Sequence, residues 1–176
     1  MEYFLDDFQK HYYLPLLKRL QTNPRGVSLW DMILMSDGAA HCIQSDFSCM
    51  VSTEMFAELG LWYVRDQARM FPHTAYHLDG ANALHHLPAL LEIPGLDCVQ
   101  FIYQIPNGWS LLDAAPTVRR IIEAGKRAEV FAWKLDDIIT FLEQVPPKGL
   151  KLNAWAPDRQ SAERLCGDIR ALGYEA

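Results

Sequence analysis

The sequence contains no C-x-x-C pair, and its four cysteines, Cys42, Cys49, Cys98 and Cys166, are scattered. A chain of 176 residues needs no covalent staples, so these read as reduced, mostly buried thiols of a cytoplasmic protein. No apolar run approaches the roughly 18 residues of a membrane span. No block of like charge occurs, and the formal net charge is -6. A phosphate backbone is held by a basic face, so neither nucleic acid nor a membrane surface is an expected partner. No G-x-G-x-x-G or P-loop follows any candidate strand, which removes the usual nucleotide signatures. The opening Met1-Glu2-Tyr3-Phe4-Leu5-Asp6-Asp7 is acidic and lacks the basic and apolar regions of a secretory signal.

What is present is ordinary globular material. Half of the residues are hydrophobic and 22% are charged, which argues against disorder. One domain over 1–176 is expected, able to bury roughly 70% of the surface that the unfolded chain exposes. Phe4, Leu5, Phe8, Tyr12, Leu16 and Leu20 recur at helical spacing, predicting a helix over 3–20 that Pro15 kinks or divides. Val27 to Met35 reads as one apolar strand and Ala39 to Ser45 as another. Ser52 or Thr53 caps a helix running to about Met70, with Glu54 in its first turn.

Strands then alternate with helices to the end. Strands are predicted at 74–78, 97–103, 128–133 and 150–154, and helices at 81–91, 112–124, 136–144 and 158–172. This alternation implies βαβ units and a parallel sheet. At most five strand–helix units fit, whereas a closed eight-stranded barrel takes about 250 residues. Length alone leaves two choices, a small doubly wound sheet or part of a barrel.

The order of motifs narrows that choice. Gln44-Ser45-Asp46-Phe47-Ser48 is followed by Val51-Ser52-Thr53-Glu54-Met55-Phe56, then by Tyr76-His77-Leu78-Asp79-Gly80. The run His86-Leu87-Pro88-Ala89-Leu90-Leu91-Glu92-Ile93-Pro94-Gly95-Leu96-Asp97 comes next. Val99-Gln100-Phe101, Ile121-Ile122-Glu123-Ala124-Gly125-Lys126 and Pro147-Lys148-Gly149-Leu150 complete it. Over about residues 40–172 this resembles the uroporphyrinogen decarboxylase-like superfamily, especially its methyltransferase-like branch. The resemblance implies an α/β fold, a partial (β/α)8 TIM barrel of which this chain is the C-terminal half, with its site at the C-terminal ends of the strands. Corrinoid-linked members carry a zinc motif of the form His-x-Cys, with a further Cys on a later strand. The corresponding residues here are His77-Leu78-Asp79, and Leu150 to Trp155 contains no Cys.

His77 and Asp79 share strand parity and project to one side. Together they can ligate zinc, or Asp79 can orient His77 for proton transfer. Alternatively Asp79 caps the following helix and His77 packs in the interior. Asp46 follows a strand and is either a second site carboxylate, placed for substrate or metal contact, or a turn residue; Gln44 shares its parity. Gln100, an amide in an apolar strand, needs a hydrogen-bond partner when buried and could bind substrate. Asn153 invites the same argument. Tyr76 or Trp109 is expected near the rim, and Trp109, Trp133 and Trp155 either wall a pocket for a flat ligand or belong to the core. His85 and His86 are adjacent, so they cannot share a helix face, and they read as packing residues.

The resemblance implies an enzyme acting on a small-molecule substrate, foremost methyl transfer involving a thiol or a corrinoid, the latter as methyl donor or acceptor carried by a corrinoid protein. Decarboxylation of a porphyrinogen or related carboxylate is the second reading. The third is a catalytically silent half barrel that binds a partner chain. A half barrel leaves two open parallel edges, so self-association or a missing N-terminal half is expected.

Overall fold

The computed structural model describes residues 40–103 and 108–175, together with 6–13, 15–16, 19, 27–28 and 34–35. Most of the loop Gln104 to Gly108 and parts of the expected 3–20 helix lie outside the described residues. Within that helix, Gln9–Tyr13 forms a π-helical turn.

Five parallel strands make the main sheet: β3 (Ala40–Gln44), β4 (His73–Asp79), β5 (Cys98–Ile102), β6 (Arg127–Ala132) and β7 (Leu150–Ala154). Their spatial order is their order in the chain. A doubly wound sheet reverses direction at a switch point; this one steps across in one direction throughout. Among the described residues the sheet is open, with β3 and β7 at its edges. The fold is α/β with an all-parallel sheet, as the alternation of segments predicts.

Three of the helices begin at a capping side chain. Between β3 and β4 lie α1 (Thr53–Leu59) and α2 (Leu61–Met70). The Ser52 hydroxyl caps α1 by accepting from the Met55 N–H at 3.2 Å. The single helix expected up to Met70 is divided at Gly60. A Cβ there would lie 2.7 Å from the ring of Phe56, and that ring is fully buried. The glycine lets the ring pack against the backbone where the two helices meet.

After β4 come a 3-10 segment, Ala81–His86, and α3 (Leu87–Leu91). α4 (Leu111–Glu123) follows β5 and begins with a reciprocal capping box of Ser110 and Asp113. Gly125, at φ 80°, turns the chain into β6. α5 (Ile138–Leu142) follows β6, and α6 (Arg159–Ala171) closes the chain, capped by Asp158 accepting from the Ser161 N–H at 2.7 Å.

The expected strand over Val27 to Met35 is corrected. Its ends form two short strands, β1 (Val27–Ser28) and β2 (Leu34–Met35), which pair antiparallel with Val27 opposite Met35. No helix among the described residues is long and apolar enough to cross a membrane.

The two sheet faces differ. Ile43, Tyr76, Leu78, Val99, Phe101 and Val130 belong to the main core with Phe56, Val64, Leu90, Val118, Ile121 and Phe141 of the helical layer. Alternation turns Cys42, Ala75 and Cys98 to the other face, where with Ala40 they make a small separate cluster. Burial pushes the Cys98 thiol up to about 12, with the Glu129 carboxylate adding to the effect. That thiol is a packing group rather than a nucleophile.

Candidate functional site

Parallel strands in register align one residue per strand into rows across the sheet. On the face away from the helices, one row reads Gln44, His77, Gln100, Glu129, Lys151, each directly opposite the next. His77 is 6% exposed, and Gln100 and Glu129 are fully buried. Buried polar groups need partners, and this row supplies them. Gln100 Nε2 donates to Glu129 Oε2 at 3.1 Å, and Gln100 Oε1 lies 2.5 Å from His77 Nδ1. Glu129 Oε1 accepts from Asn153 Nδ2 at 2.7 Å and pairs with Lys151 Nζ at 2.9 Å.

This chain has a direction. A carboxylate only accepts, so Gln100 must turn its NH2 toward Glu129 and its oxygen toward His77. That oxygen cannot donate, so His77 Nδ1 carries the hydrogen. In the neutral ring the lone pair then sits on Nε2. Glu129 thus sets the tautomer of His77 from two strands away, through one amide. Nε2 lies 3.9 Å from Asp79 Oδ1 at the C-terminal end of the same strand, too far for a hydrogen bond but close for an ion pair once the ring is protonated.

The other expected site residues fall in four places. Gln44 donates to Asp46 at the exposed end of β3, where Asp46 opens the 3-10 turn Asp46–Met50. Asn153 joins the row through Glu129. Tyr76 faces the helices, on the opposite side of the sheet from His77, and is fully buried; burial pushes its phenol up, opposed by the nearby Ser48 and Ser45 hydroxyls. Trp109 lines a cavity of about 290 Å³ with Tyr103, Ser110, Trp133, Lys134 and Asp137, and neither His77 nor Gln100 reaches it.

The tryptophans at the ends of β6 and β7 divide their roles. Trp133 lines that cavity and stacks on Trp155 with ring centres 4.6 Å apart and planes 2° from parallel. Trp155 also stacks on Phe131 at 5.8 Å. The three rings form a partly exposed aromatic shelf beyond the polar row. His85 and His86 bond different carbonyls, those of Val51 and Ser48, consistent with packing roles.

Glu129 and Lys151 are the members that sequence reading missed. The available signal was the one used for Gln100: a charged side chain in the apolar run Ala128-Glu129-Val130-Phe131. As metal ligands, His77 and Asp79 supply two donors, one fewer than the three protein ligands of a catalytic zinc. Among the described residues no group of three His, Cys, Asp or Glu side chains is placed to hold a metal ion. No protein-family model, no curated protein and no solved structure matches this chain.

Proposed function

We propose that this chain is the later half of a (β/α)8 barrel akin to the uroporphyrinogen decarboxylase-like superfamily, and that His77 is its acid–base residue, acting on a small carboxylate-bearing substrate. The hydrogen-bonded row from Lys151 to His77 is the observation that carries this reading. A general acid or base needs a fixed tautomer and a counter-charge for its protonated form. Gln100 fixes the tautomer, and Asp79 and Glu129 provide negative charge on either side of the ring. In decarboxylation the C–C bond to the carboxylate breaks, carbon dioxide leaves, and protonated His77 delivers its Nε2 proton to the carbon that inherits the electron pair. Gln100 and Glu129 are positioning residues in this scheme. Placement of His77, Asp79, Gln44 and Asp46 toward strand C-terminal ends agrees with the side on which parallel barrels act.

Methyl transfer ranks second. Zinc-dependent activation of a thiol calls for a fuller ligand set than His77 and Asp79, and the nearby Cys98 is held as a thiol. A corrinoid would come with its own carrier protein. In either reading the open edges at β3 and β7 leave room for the rest of a barrel, from a second copy or a separate N-terminal half.

His77→Asn tests the proposal, because its amide NH2 can still donate to Gln100 while the ionisable ring is gone. Release of carbon dioxide from uroporphyrinogen and coproporphyrinogen should fall about a hundredfold or more, with the fold intact by circular dichroism. Turnover within a few-fold of wild type would remove His77 from the chemistry. Thiol methylation from methylcobalamin, assayed alongside, would favour the second reading.

A further inference from the structure

The cavity beyond the ends of β5 and β6 combines three aromatic side chains with two opposite charges. Tyr103 follows β5, Trp109 precedes α4, and Trp133, Lys134 and Asp137 lie between β6 and α5. Ligands of parallel α/β sheets are held at these C-terminal strand ends. The aromatic walls are fixed from behind. Tyr103 is buried, and its hydroxyl donates to the Phe131 carbonyl at 2.7 Å. Trp109 packs against the main core. Trp155 covers one face of Trp133 and is not part of the cavity wall, so Trp133 turns its other side to the cavity. Trp133 is nevertheless 60% exposed. Singly exposed apolar residues are ordinary, but stacked rings forming a patch beside a cavity mark a place where something binds.

The same wall holds one cation and one anion, Lys134 and Asp137. Among the described residues neither side chain has a hydrogen bond or an ion-pair partner. Asp137 stands at the N-cap position of α5 without its side chain capping that helix. Two opposite charges that do not pair with each other suit a ligand bearing both signs. A singly charged ligand would be attracted by one and repelled by the other.

We propose that this cavity binds a free aromatic amino acid as its zwitterion, with the ring against Trp133 and Trp109, the ammonium toward Asp137 and the carboxylate toward Lys134. The aromatic walls select the ring, and the two unpaired charges select the zwitterion. Size agrees. A cavity of about 150 Å³ is enough for benzene, and this one measures about 290 Å³, leaving about as much again for the charged end. The site shares no lining residue with the His77 row and does not rest on the reading of His77.

L-Phenylalanine is the test ligand, with phenethylamine lacking its carboxylate and 3-phenylpropionate lacking its ammonium. In protein labelled with 15N at tryptophan, L-phenylalanine at millimolar concentration should shift the indole N–H resonances of Trp109 and Trp133 saturably. Trp62, in α2 and outside the cavity, should not move. Each one-charge analogue should bind about fivefold more weakly, the worth of a solvent-exposed ion pair. Lys134→Gln should weaken L-phenylalanine by about that factor without weakening phenethylamine, and Asp137→Asn should do so without weakening 3-phenylpropionate. Lys134 is exposed, so its variant keeps the fold. Trp133→Ala should weaken all three ligands about tenfold through the lost ring contact. Absence of a saturable shift at Trp109 and Trp133, or L-phenylalanine binding no tighter than its two one-charge analogues, overturns the proposal.

Discussion

Replacing Gln100 by Leu should break the polar row at its centre. The substitution nearly preserves volume but removes the hydrogen bonds to Glu129 Oε2 and from His77 Nδ1. Both former partners stay inside the protein, where an unsatisfied buried group costs about 1–3 kcal/mol. Glu129 retains Asn153 and Lys151 on its other oxygen, so its loss belongs at the low end of that range. His77 loses its Nδ1 acceptor at 6% exposure and belongs higher. A total of about 2–4 kcal/mol is expected, read as a lowered urea midpoint at unchanged slope. Removing both ends of the Glu129 bond should be gentler than the single changes imply. Gln100→Leu combined with Glu129→Leu should therefore destabilise by less than the sum of the two. Histidine 15N shifts give a separate readout: neutral His77 should be the Nδ1–H tautomer in wild type and lose that preference in Gln100→Leu. A wild-type ring protonated on Nε2, or a stability loss below about 1 kcal/mol, would refute the directional argument from Glu129 to His77.

Cys98 should resist alkylation in the native protein at pH 8 and react freely in urea, because burial holds its pKa at about 12 against an ordinary 9.0. The folded state holds that proton to higher pH than the unfolded state does, so the contribution is complete below pH 9.0 and is lost as pH rises towards about 12. Cys98→Ala should flatten the alkaline limb of a stability-versus-pH curve, and an unchanged limb would argue against it. Gly95→Ala should cost about 2 kcal/mol or more, because Gly95 has φ 83° and an added Cβ would come 2.7 Å from the Ala68 carbonyl oxygen; a thermal melt matching wild type would count against that geometry.

The succession of strands and helices was legible because most strands are short runs bounded by turn residues, and three of the helices open on a capping side chain. Ser52, Ser110 and Asp158 all stand where hydroxyl or carboxylate caps belong. The division at Gly60 was harder to read. A glycine inside a periodic helix is tolerated as often as it breaks one, and only the burial of Phe56 decides the matter. Parity within one strand correctly grouped His77 with Asp79. It also argues against Tyr76 as their neighbour, since adjacent strand residues face opposite ways. Register between strands is set by how the helices seat against the sheet, so nothing local says that Gln100 stands opposite His77, or Glu129 opposite Gln100. Attention to strand ends drew the reading past Glu129, which lies in the middle of β6.

The one-way stepping of the sheet bears on how the molecule comes apart. Among the described residues each strand pairs only with strands adjacent to it in the chain, so this part of the protein resembles a stack of repeating units more than a closed object. In such a stack, stability is the sum of the units and the junctions between them, and the last unit has one junction instead of two. Here that unit is β7 with α6, and none of its residues is fully buried. Opening should start there and travel toward β4. Lys151 and Asn153 would leave Glu129 first, so the polar row would come undone from the end farthest from His77.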